Sequence, residues 1–98
     1  SVLVESQYQN KVIELLKSSK TTFRQIRQVI ADSNANEFSD LYRTLYDDIT
    51  EYANGREGEI ILYIEEYMYH SSFVIDKEIC VMACLNKILN TVKQKQIL

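Results

Sequence analysis

Cys80, Cys84 and His70 are the side chains best suited to hold a metal ion or to act as a nucleophile. Zinc sites take four ligands, at spacings such as C-x2-4-C and H-x3-5-H. Here the two thiols stand at i,i+4 and the chain has one histidine. Free cysteine is a small, frequently buried hydrophobe, so both thiols are expected in the core. A Cys–His nucleophilic pair needs a third group to orient the base, and the sequence places none. Asp47-Asp48 and Glu65-Glu66 could be imagined as paired carboxylates, but neighbours on a helix point about 100° apart and share a proton poorly. They are expected to face solvent. No G-x-x-x-x-G-K-S/T loop, G-x-G-x-x-G turn or H-E-x-x-H helix occurs. The chain is therefore expected to be no enzyme, with no catalytic residue, no metal and no cofactor.

The elements that would position any site are helical by expectation. Proline is absent and glycine occurs only at Gly55 and Gly58, which removes the strongest helix breakers from nearly the whole chain. Ninety-eight residues suffice for one domain with one core. An apolar fraction of 46% beside 26% charged residues excludes disorder and fibrous repeats. The longest apolar runs, such as Val81-Met82-Ala83-Cys84-Leu85, fall far short of the ~20 residues that cross a bilayer. The N-terminus carries no secretory pattern. A cytoplasmic, reducing setting is expected, and two cysteines are too few for a disulfide framework.

The periodicity predicts an all-α fold, a single compact bundle of five helices. The first runs from about Ser6 to Ser18, with Tyr8, Val12, Leu15 and Leu16 on one face. The second is capped by Thr21 or Thr22, reaches about Asp32, and carries a narrow stripe of Phe23, Ile26 and Ile30. The third starts near Asn36, carries Phe38, Leu41, Leu45, Ile49 and Tyr52, and stops at Asn54-Gly55. The fourth spans about Glu57 to His70, with Ile60, Ile64, Tyr67 and Met68 turned to the core. The fifth begins near Asp76, ends in Lys93 and Lys95, and is apolar from Ile79 to Leu89 except at Asn86 and Lys87.

A helix apolar over so much of its circumference must be covered on several sides. Four short neighbours leave a motive for a partner there. The seven tyrosines have a ring to bury and a hydroxyl to hydrate, which suits a core edge or an interface. The candidate subunit contacts are Tyr42, Tyr46, Tyr63, Tyr67, Phe73 and Leu85. A net charge of −3 argues against gripping nucleic acid as the main task. Charge is nonetheless uneven: Lys11, Lys17, Lys20, Arg24 and Arg27 mark the first third, and the carboxylates gather between Asp32 and Glu78.

Taken in order, four segments resemble a known family: Val12-Ile13-Glu14-Leu15-Leu16-Lys17, Leu41-Tyr42-Arg43-Thr44-Leu45-Tyr46-Asp47-Asp48-Ile49, His70 through Ile79, and Met82-Ala83-Cys84-Leu85-Asn86-Lys87-Ile88-Leu89. Together they look like the C-terminal collar domain of clamp-loader small subunits of the replication factor C type, especially those of tailed phages. The approach to the last helix departs from that pattern, with Ser71-Ser72-Phe73-Val74-Ile75 where the family commonly has an apolar-rich or glycine-containing stretch. The resemblance implies an assembly role in DNA replication. Residues 1–98 would be the C-terminal part of a longer subunit whose AAA+ ATPase module lies upstream. Partners would be sister subunits in a ring, with the sliding clamp and primer-template DNA reached only through the parent complex and no membrane involved. The alternative is a free-standing helical adaptor or regulatory protein that binds one protein partner.

Overall fold

The computed structural model describes the backbone of residues 2–94 and the side chains of residues 8–93. Within them the chain is all helical, with six helices and no strand: α1 (Val2–Lys17), α2 (Phe23–Ser33), α3 (Ser39–Asp47), α4 (Ile49–Tyr52), α5 (Glu57–Ser71) and α6 (Lys77–Gln94). Lys95, expected at the end of the last helix, lies outside the described residues.

Five helices become six because the expected third helix divides at Asp48, whose backbone leaves the helical region at φ −103°, ψ 17°. Its N–H still donates to Thr44 O at 3.0 Å, and its carbonyl accepts from Glu51 N at 2.9 Å, a tighter three-residue link. Beyond the bend Tyr52 and Ala53 are both fully buried. The Tyr52 hydroxyl donates to Leu45 O at 2.7 Å, tying the two pieces together across the bend. Burial pushes the pKa of that hydroxyl well above its ordinary value, as expected for a phenol that must stay neutral away from water.

Local signals set most helix ends. Thr22 caps α2 reciprocally: its hydroxyl accepts from Gln25 N at 3.3 Å, and Thr22 N donates to Gln25 Oε1 at 2.9 Å. Asn34 ends α2 in the left-handed region at φ 58°, and Asn54 and Gly55 adopt φ 55° and 86° after α4. Asp76 opens α6 by accepting from Ile79 N at 3.0 Å. The expected start of the third helix near Asn36 moves to Ser39, with Phe38 at the N-cap position and the Glu37 carboxylate holding the entry to the helix. Its Oε1 accepts from Phe38 N at 2.9 Å, from Ser39 N at 3.0 Å and from Ser39 Oγ at 2.7 Å.

α6 is the central helix. Cys80, Val81, Met82, Cys84, Leu85, Ile88, Leu89 and Val92 are all buried, and the helix packs on α5 and α2. Its outer strip is Ile79, Ala83, Asn86 and Asn90. The expectation that α6 keeps a wide apolar face for a partner is thus corrected: the chain's own helices close it, apart from Ile79. Phe23 and Met68, expected on core stripes, are also exposed. Tyr42 donates to Cys80 Sγ at 3.9 Å, and the Cys80 thiol donates to Tyr67 O at 3.7 Å, so one polar thread links α3, α6 and α5.

Two outcomes follow from this packing. Leu85→Ala should cost about 3 kcal/mol in urea unfolding, the usual toll of a buried large-to-small change, whereas Ile79→Ala should stay within about 0.5 kcal/mol. Equal losses would displace α6 from the centre. For Glu37, hydrogen bonds from the Ser39 hydroxyl, then from the backbone of Ser39 and Phe38, hold the carboxyl below the ordinary range. A pKa lowered on folding contributes stability above the unfolded value and loses it as pH falls through the folded value. The stability gap between wild type and Glu37→Gln should therefore shrink as pH drops below about 4. A gap that does not change with pH would remove this role of Glu37.

Candidate functional site

α5 turns Ile60 and Ile64 into the core. The 3.6-residue period then points Leu62, Glu65, Glu66 and Tyr69 outward on the opposite side. Leu62 is 65% exposed and Tyr69 63% exposed. Phe73, just beyond the helix end, is 69% exposed and sets its ring 5.1 Å from that of Tyr69 in an edge-to-face contact. Met68 on the flank of α5, Val74 and Ile75 in the turn, and Ile79 in the first turns of α6 are also exposed. The Tyr69–Phe73 pair is thus an exposed aromatic contact in a stretch of chain rich in exposed apolar side chains, the kind of surface that marks interaction sites.

The corner is held rather than loose. Phe73 N and Val74 N both donate to His70 O, at 2.9 and 3.2 Å, and Ser72 N donates to Tyr69 O at 3.2 Å. The Lys77 ammonium donates to Ser71 O from the first turn of α6. His70 sits among the aromatics, 6.0 Å from the Tyr67 ring and 6.3 Å from Tyr69. Around the patch the charge is acidic: Glu65, Glu66 and Glu78 are exposed and form no ion pair among the described residues.

A second face has the opposite charge. α2 buries Ile26 and Ile30 and so turns Arg24 and Arg27 outward, with Phe23 exposed beside them and Lys20 just ahead of the helix. Lys20, Arg24 and Arg27 also lack an ion pair among the described residues. Between α1 and α2 lies an open groove of about 490 Å³, lined by Asn10, Lys11, Glu14, Leu15 and Val29.

The six residues expected at an interface fall into different places. Phe73 lies in the exposed patch. Tyr46 is exposed elsewhere, 5.2 Å beneath the Arg43 guanidinium. Tyr63 and Tyr67 are half-buried against the core; Tyr63 lies under the Lys87 ammonium at 4.8 Å, and its hydroxyl accepts from Thr91 Oγ1 at 3.4 Å. Tyr42 and Leu85 are buried within the chain, which closes both to a partner. The residues that sequence reasoning missed are Leu62, Met68, Tyr69, Val74, Ile75 and Ile79. The signal for Leu62 and Tyr69 is their seven-residue spacing on the side opposite Ile60 and Ile64.

Among the described residues no group of three or more His, Cys, Asp or Glu side chains could hold a metal ion. His70 is exposed while both thiols are buried. Asp47 faces solvent in an ion pair with Arg43 at 3.1 Å, and the bend at Asp48 is made by its backbone. No helix among the described residues is long and apolar enough to cross a membrane. No family model, curated protein or solved structure matches the chain.

Burial, reinforced by the neighbouring Cys80, pushes the Cys84 thiol up to about 12. Because the thiolate is the reactive form, iodoacetamide at mildly alkaline pH should leave Cys84 unmodified in the native chain and label it in denaturant, as read by peptide mass spectrometry. Rapid native labelling would place Cys84 outside the core.

Proposed function

We propose that this chain is an assembly domain, a collar-like helical module that seats a clamp-loader small subunit among its sister subunits in a ring. The observation that carries the reading is the exposed apolar run from Leu62 through Tyr69 and Phe73 to Ile79, displayed on a bundle whose central helix is already covered. The clamp-loader identity is supported by the order of its motifs, with Val12–Lys17 in α1, Leu41–Ile49 across α3 and α4, and Met82–Leu89 in α6. In this reading the domain performs no chemistry. ATP hydrolysis belongs to an upstream AAA+ module, and the clamp and primer-template DNA are met through the assembled ring.

Tyr69→Asp combined with Phe73→Asp should leave the thermal melt near that of wild type, since both side chains are exposed, and should weaken assembly about tenfold or more in sedimentation velocity, as expected for lost aromatic anchors. Unchanged assembly would remove the apolar face as the contact. The clamp-loader identity has a separate check, in which the natural reading frame upstream of Ser1 is expected to encode a G-x-x-x-x-G-K-S/T motif. A frame that encodes no ATPase would leave the free-standing adaptor.

A further inference from the structure

We infer that the occupant of the α5 face is the basic outer face of α2 from a second copy of this chain, in a head-to-tail contact. This rests on the assembly reading and names its two surfaces. The apolar run on α5 is interleaved with Glu65 and Glu66, and neither carboxylate has a cationic partner among the described residues. Packing two copies symmetrically, α5 on α5, would set the Glu65 and Glu66 carboxylates of both copies in one interface, with Lys77 and Lys87 engaged at Ser71 and Tyr63 of their own chain, and like charges juxtaposed at an interface are disfavoured. The occupant must therefore bring both an apolar contact and positive charge.

The outer face of α2 brings both. Phe23 is 43% exposed, with Arg24, Arg27 and Lys20 around it and unpaired among the described residues. The 11 residues of α2 and the 15 of α5 make rods of roughly 16 and 22 Å, so one can lie along the other. The two faces belong to separate helices, α2 resting on α1 and α6 and α5 on α6, α3 and α4. One copy can thus offer α5 to a second and α2 to a third, which is the heterologous arrangement that builds rings when its rotation closes.

Charge reversal tests this. Arg24→Glu with Arg27→Glu, and separately Glu65→Arg with Glu66→Arg, should each raise the self-association constant for dissociation by about tenfold or more in sedimentation velocity run from micromolar to near-millimolar protein. An equimolar mixture of the two variants should regain near-wild-type association, because each reversed face then meets its complement. Thermal melts monitor folding, and the neutral pairs Arg24→Gln/Arg27→Gln and Glu65→Gln/Glu66→Gln replace any reversal that fails to fold. If association is lost with the Tyr69/Phe73 double variant but unmoved by either reversal, this inference falls and the assembly reading stands. If the wild-type chain shows no self-association over the whole range, a second copy is not the occupant. If Arg24→Glu/Arg27→Glu abolishes binding of a primed DNA oligonucleotide and leaves self-association unchanged, the α2 face belongs to nucleic acid and the inference is overturned.

Discussion

The constraint on which this fold depends is the circumference of α6. Eight of its apolar residues, from Cys80 to Val92, are buried, and a helix apolar on so many sides has no stable place except between other helices. α5 and α2 flank it directly, while Tyr42 reaches it from α3. Leu45 and Tyr52, seven residues apart, keep to one stripe across the break at Asp48, both fully buried and joined by a hydrogen bond.

What the sequence disclosed, and what it withheld, divides along the range of the interactions involved. A threonine cap at Thr21 or Thr22, a start at Asp76 and a stop at Asn54-Gly55 were legible because each signal is complete within a few residues; that Thr22 is the cap, with Gln25 as its partner, came from the structure. The break at Asp48 was not, since no glycine or proline marks it and the Leu45–Tyr52 stripe reads the same in an unbroken helix. The same applies to the site. A helix apolar nearly all round does not reveal which strip faces out, so Ile79 read as core and Leu85 as a contact. On α5, both Met68 and Tyr67 fit a core stripe by spacing, and only the position of α6 decides that Tyr67 tucks in while Met68 does not. Tyr42 and Tyr69 are chemically alike, yet one meets a buried thiol and the other meets water.

The distribution of charge has its own logic. Pairing within the chain uses Lys17 with Glu14 and Glu51, Arg43 with Asp47, and Arg56 with Glu59. These are exposed contacts of the kind that contribute little to stability. Arg24 and Arg27 of α2, and Glu65 and Glu66 of α5, stay out of such pairs among the described residues, which leaves a basic and an acidic surface despite a small net charge. Long-range fields of this sort act on the rate and orientation of encounter more than on the fold.

The backbone at the α5–α6 corner has one more consequence. Ser72, Phe73 and Val74 all direct their amides to carbonyls at the end of α5, and Lys77 takes the carbonyl of Ser71. The sticky side chains are therefore carried on a main chain whose amides are already engaged. Uncontrolled fibre growth recruits open strand edges, rows of free N–H and C=O groups that template another chain. This corner offers oil without such a template, so it can be adhesive toward a shaped surface while giving a cross-β polymer nowhere to start.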